Sequence, residues 1–214
     1  MPFDRPLFVK ELGRKAFHTA GCVIPAAYYF LVARDVMIVV LAVCVLGAGF
    51  LEYMRLKGRD LYPTMFMRPS EEGRLGGYFY AALSMFLAVL LFSKAVAAAA
   101  ILFLIFGDSI TGLAGAVLFM YTGRKSVAAR DGAQGGLVYA VTHPKPLPLM
   151  LLMFALCAGI GLLFHPGLSN AAVVAGALGA VIADAFPWRV GPYTIDDNLS
   201  IPLLAGALMT LATG

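Results

Sequence analysis

Residues 95–121 read AVAAAAILFLIFGDSITGLAGAVLFMY, and the reading of this run decides the fold. A helix needs about 20 predominantly apolar residues to cross a bilayer, and this stretch exceeds that length. Its single charged residue, Asp108, stands near the middle. A charge at the centre of a membrane helix costs at least about 2.5–3.5 kcal/mol on insertion scales, so Asp108 must face protein or water. The triplet Gly107-Asp108-Ser109 is expected to interrupt the run. Asp108, Thr111, Gly112 and Gly115 recur at i, i+3, i+4 and i+7, which puts them on one helical face. Small residues there admit the close approach of another backbone or of a phosphate. A carboxylate so placed suits Mg2+ beside a phosphate, because hard cations choose oxygen ligands. A buried carboxylate paired with Lys or Arg for packing is the structural alternative.

Outward from this run the chain keeps the same character. Of its 214 residues 61% are hydrophobic and only 13% charged, with a mean hydropathy of +0.85. A soluble domain carries about a quarter charged residues, so the deficit points to a membrane. Apolar runs fall at about 16–33, 36–54, 76–92, 95–121, 137–164, 168–186 and 199–213. The expectation is an all-α fold: a polytopic transmembrane helical bundle of about seven spans, forming a single integral-membrane domain over 1–214. The polar stretch 55–75, with Leu61, Tyr62, Met65, Phe66 and Met67 among its charges, predicts a short amphipathic segment in the interface. The N-terminal charges extend through Lys15 and the following apolar stretch is long, which argues against a cleavable signal. Cys22, Cys44 and Cys157 are isolated in apolar runs and offer neither a disulfide framework nor metal spacing.

Lys and Arg concentrate in the N-terminus, 55–75 and 122–131, while 34–35, 93–94 and 165–167 hold two in all. Positive residues favour the cytoplasmic side, so the N-terminus and these loops are expected there, together with 187–198. The net charge of +4 belongs to these loops, and no basic run in a soluble context suggests nucleic acid.

Other candidate residues gather on that same side. Asp196-Asp197-Asn198 precedes the last run; adjacent carboxylates repel, so a cation or several donors must compensate them. A Mg2+ site and a capped helix start both fit. Glu11, Arg14, Lys15 and His18 share one helical face entering the membrane, suited to a triphosphate or a lipid phosphate, or to simple anchoring. Glu52 with Arg55 and Arg68 with Glu71 are spaced as structural ion pairs. The loop bearing Arg124, Lys125 and Arg130 ends in a glycine-rich piece whose backbone N–H groups suit a phosphate. It lacks the Gly-Lys-Ser/Thr ending of a Walker A loop. The stretch His143-Pro144-Lys145-Pro146 reads as a break between helices, and His165-Pro166 as an outer turn.

In order along the chain, Arg14-Lys15-Ala16-Phe17-His18, Leu51-Glu52-Tyr53-Met54-Arg55, the Arg68…Glu71 pair, Gly77-Tyr78, the segment from Phe106 to Gly115, and Asp196-Asp197-Asn198-Leu199-Ser200-Ile201-Pro202 resemble the CTP-dependent lipid kinases. That family includes dolichol kinases, phytol kinases and yeast-type diacylglycerol kinase, and is related to the phosphatidate cytidylyltransferases. The resemblance covers most of the chain. It departs where Phe119 takes the place of a glycine, and where Asp131 and Gln134 stand for a lysine and a glutamate.

The resemblance implies transfer of the CTP γ-phosphoryl group to a long-chain lipid alcohol such as a polyprenol, phytol or diacylglycerol. Asp108, Asp196 and Asp197 are then expected to hold Mg2+, with Asp108, Asp197 and His18 at the chemistry. Arg14, Lys15, Arg124, Lys125, Arg130, Gly112 and Gly115 are expected to bind the nucleotide phosphates, and the partner is a membrane lipid. A cytidylyltransferase, a small membrane transporter built on a broken helix and an inactive scaffold homologue are the alternatives.

Overall fold

The computed structural model describes residues 5–59, 73–122, 144–186, 189–190 and 193–213. These residues are helical, apart from turns and one two-residue antiparallel pair, β1 (Arg189–Val190) with β2 (Tyr193–Thr194), in which Arg189 faces Thr194. The all-α expectation is met.

The first expected span, 16–33, is instead two helices. α1 (Arg5–Ala20) starts well before the apolar run, and α2 (Val23–Phe30) follows a tight turn at Gly21 and Cys22. There the backbone N–H groups of Gly21 and Cys22 donate to His18 and Thr19, three residues back. Pro25 has no N–H with which to carry an i→i−4 ladder back across that turn, which is why the helix is divided here.

α3 (Arg34–Leu56) is a single long helix. It ends at Gly58, with φ +77°, where Gly58 N–H donates to Arg55 and Arg59 N–H donates to Met54. That is a Schellman closure, which needs the left-handed glycine. α4 (Gly77–Leu91) returns alongside α3, and the Arg34 guanidinium caps its C-terminal carbonyls, reaching Val89 O at 3.1 Å and Leu90 O at 2.7 Å. Arg34, expected only as part of a turn, thus satisfies two carbonyls that the end of a helix leaves orphaned.

The run quoted at the outset is continuous rather than broken. α5 (Lys94–Leu102) passes through a π-helical turn (Phe103–Asp108) directly into α6 (Ser109–Thr122). The expected interruption at Gly107-Asp108-Ser109 is absorbed by widening one turn, which keeps backbone groups paired inside an apolar environment. α7 (Leu147–Leu162), α8 (Asn170–Ala185) and α9 (Asp197–Thr213) complete the described helices. Ser169 caps α8, its Oγ accepting from Ala172 N–H at 3.2 Å. The outer turn expected at His165-Pro166 lies between α7 and α8.

The core is built around α5, where Ala97, Ala98, Ala99, Ala100 and Ile101 are fully buried against α2, α4 and α9. α9 packs closely on α8 and α4. A Cβ at Gly206 would lie 2.2 Å from Phe92 Cε2, so only glycine permits that contact.

Among the described residues, two helices are long and apolar enough to cross a membrane: α3, of 23 residues, and the continuous helix from Lys94 to Leu118, of 25. α4, α7 and α8 are apolar but shorter; at 1.5 Å per residue, a 16-residue helix covers about 24 Å of a hydrocarbon core of about 30 Å. The two long helices differ in setting. α5 is enclosed, whereas α3 exposes Val36, Val39, Val40, Val43, Leu46 and Phe50. The interfacial segment expected within 55–75 falls for the most part outside the described residues.

Candidate functional site: carboxylates and lysines in one buried cluster

Three aspartates from distant parts of the chain converge. Asp108 closes the π-turn, Asp184 lies one residue from the end of α8, and Asp197 opens α9. One carboxylate oxygen from each lies within 4.8 Å of the others, and Asp108 and Asp184 are buried. Two lysines are bound into the same cluster. Lys15, 2% exposed, donates to the Asp108 carboxylate and, at 3.1 Å, to the Asp108 carbonyl. Lys145 donates to Asp184 Oδ1 at 2.6 Å.

Each group is held by local structure. Lys145 sits in the extended stretch before α7, and its backbone N–H donates to the Ala185 carbonyl at 3.1 Å, which fixes it at the end of α8. Asp184, with Asp197 and Asp108 behind it, supplies the negative charge that offsets the burial of its ammonium. Lys15 reaches Asp108 across Gly112, where a Cβ would stand 3.0 Å from its Cε. The Thr111 hydroxyl donates to the Gly107 carbonyl at 2.7 Å, securing the turn that carries Asp108. Asp108, Thr111 and Gly115 are buried and Gly112 half-buried, the single face their spacing predicts.

The structure gathers Asp108, Asp184 and Asp197, whereas the metal set expected from the sequence is Asp108, Asp196 and Asp197. The Asp196 Oδ1 accepts from Asn198 N–H at 2.9 Å and from Asn198 Nδ2 at 2.6 Å, which is helix capping. Lys15 lies on a carboxylate, and its side chain lies against Gly112, the position expected to admit a phosphate.

Asp184 was missed because it stands close to the end of an apolar run, although the argument applied to Asp108 covers it equally. Lys145 was passed over as part of a proline-rich break. Nothing in its local sequence signals a partner 39 positions away.

His18 is half-buried on α1, and its Nε2 is enclosed without a hydrogen-bond partner among the described residues. It lies within electrostatic reach of Asp108, Lys15, Arg14 and Asp197. Arg14 is half-buried on the same helix. Glu52 and Arg55 form the expected pair, with Arg55 Nη2 2.6 Å from Glu52 Oε2, and the fully buried Glu52 is covered by the turn at Gly76. Arg55 also donates to the Arg74 carbonyl, so this pair ties α3 to the start of α4. Arg68, Glu71, Arg124, Lys125 and Arg130 lie outside the described residues, as do Asp131 and Gln134.

The cluster's chemistry fits a hard divalent cation. Three carboxylates offer only oxygen donors, and crowding them is unfavourable without positive charge: at an effective dielectric near 20, two like charges 4 Å apart repel by about 4 kcal/mol. Among the described residues the His18 Nε2 has no partner, and its ring lies within electrostatic reach of Asp108 and Asp197. No family model, curated protein or solved structure matches the chain.

Proposed function

We propose that this chain is an integral membrane enzyme that transfers the γ-phosphoryl group of CTP to a long-chain lipid alcohol. The observation that carries the reading is the convergence of Asp108, Asp184 and Asp197 with Lys15 and Lys145 in one buried cluster. Phosphoryl transfer needs mainly positioning and charge stabilisation, which such a cluster supplies. The sequence resemblance to CTP-dependent lipid kinases supplies the donor and the acceptor class.

Asp108, Asp184 and Asp197 would hold Mg2+, which when bound offsets the charge on the transferred group. Arg14 and the basic residues Arg124, Lys125 and Arg130 would take the nucleotide phosphates. His18, its Nε2 uncommitted, would orient the acceptor hydroxyl. The exposed apolar side of α3 supports a lipid setting, and the distribution of Lys and Arg supports about seven spans with the N-terminus and site on the cytoplasmic side.

The test is incubation of the purified protein with lipid alcohols, Mg2+ and CTP labelled at either the γ or the α phosphate. Label entering lipid from the γ position supports the kinase. Label entering from the α position, with phosphatidate as acceptor, assigns cytidylyl transfer instead. No transfer from either position overturns both.

A further inference from the structure

The two lysines stand where a cation would otherwise be needed. Three carboxylates carry three negative charges, and Lys15 and Lys145 return two positive ones to the same enclosed space. Lys15 is 2% exposed and the Lys145 side chain 19%. A buried ammonium has given up most of its hydration, so it is stable only while an anion accompanies it. Its place is nonetheless conditional, because a lysine is a compact charge on a flexible four-carbon stem and can be re-aimed without moving the backbone.

Resting on the reading of the aspartates as cation ligands, we infer that Lys15 and Lys145 are exchangeable internal counter-ions. They neutralise Asp108 and Asp184 in the unliganded protein, and pass to a polyphosphate when a divalent cation takes the carboxylates. Ammonium and cation compete for the same carboxylate oxygens. A displaced ammonium then needs a new anion, and the polyphosphate bound beside the cation provides it. Cation and polyphosphate therefore bind with positive coupling, each raising the other's affinity by the same factor. The cation alone binds poorly, because it must displace the lysines with nothing to receive them.

The probes are Mn2+ and inorganic pyrophosphate on the full chain in detergent micelles, with Mn2+ affinity read by electron paramagnetic resonance. Titrations are corrected for the manganese–pyrophosphate complex in solution. Saturating pyrophosphate should tighten Mn2+ binding to the unmodified protein about tenfold or more, within the usual range of coupling between sites. Lys145→Gln, which retains a donor for Asp184 without the charge, should bind Mn2+ alone about tenfold more tightly and lose most of the enhancement. A Lys145 of purely structural function would give weaker or unchanged Mn2+ binding in that variant. Lys15→Gln gives the same reading at Asp108 if Lys145→Gln does not fold.

Absence of coupling in the unmodified protein overturns the inference, and so does coupling that survives both lysine substitutions. Failure of the kinase reading is separate: lipid phosphorylation can be absent while the Mn2+–pyrophosphate coupling stands. Phosphorylation without that coupling sinks the counter-ion role alone.

Discussion

Lys15 on α1 crosses α6 at Gly112 so closely that a Cβ there would lie 3.1 Å from the lysine Nζ. The contact joins the N-terminal helix to the helix that carries Asp108, and the missing side chain at position 112 gives it room. Several outcomes depend on this and similar contacts.

Gly112→Ala should shift Lys15 by a few tenths of an ångström, whereas Gly112→Leu should drive it off Asp108. Overpacking of this kind typically costs about 1–3 kcal/mol. Thermal unfolding in detergent should show a small loss for Ala and a larger one for Leu. Combining Gly112→Leu with Lys15→Ala should cost less than the sum of the two, because both remove the same pair.

Asp184→Asn and Asp196→Asn should separate sharply in the labelled-CTP assay. Asp184 belongs to the cluster, so its neutral variant should lose about a hundredfold or more in turnover, the scale of one lost electrostatic stabiliser. Asp196 caps Asn198 and should lose about 1 kcal/mol of stability with most of its turnover retained. Equal losses of turnover would restore Asp196 to the metal set.

Arg34→Gln removes a guanidinium that serves two carbonyls at the end of α4. Hydrogen bonds from charged groups contribute about 1.5–3 kcal/mol each, so the midpoint of thermal unfolding should fall clearly. Arg34 holds the end of α4, next to the start of α5 at Lys94, and Asp108 lies 14 residues further along that continuous helix, about 20 Å at 1.5 Å per residue, so metal affinity should stay unchanged.

Gly206→Val should be among the most damaging single changes in the core. Even a Cβ there would stand 2.2 Å from Phe92 Cε2, and branching adds two more carbons. Loss of folded protein on size-exclusion chromatography is the expected result, with partial recovery in Gly206→Val combined with Phe92→Ala.

The helices were legible because hydropathy records burial or lipid contact residue by residue. The spans expected at 36–54, 76–92 and 168–186 correspond to α3, α4 and α8 within a few residues. The division between α1 and α2 was missed because Gly21 and Cys22 are themselves compatible with an apolar helix, although Pro25, just beyond them, marks it. Asp108 announced itself by standing alone in a long apolar run. Asp184 gave a weaker form of the same signal, masked by its place at the run's end. Asp196 and Asp197 were indistinguishable in sequence, since neighbouring side chains leave a helix start in different directions, and only the packing of α9 on α8 decides which one meets Asp184. The partners Lys15 and Lys145 lie 93 and 39 positions from the carboxylates they hold, separations that no local pattern encodes.

The order in which the cluster's residues appear along the chain has a consequence for biogenesis. A ribosome that has made α1 through α6 has already supplied Lys15 and Asp108, which neutralise each other. The next pair, Lys145 and Asp184, comes with α7 and α8 and is likewise self-compensating. Among the described residues, Asp197, at the head of α9, arrives without a lysine of its own in the cluster. On the proposed membrane reading, insertion would proceed through two stages in each of which a lysine accompanies its carboxylate. The third carboxylate of the proposed cation site is withheld until the last described helix docks.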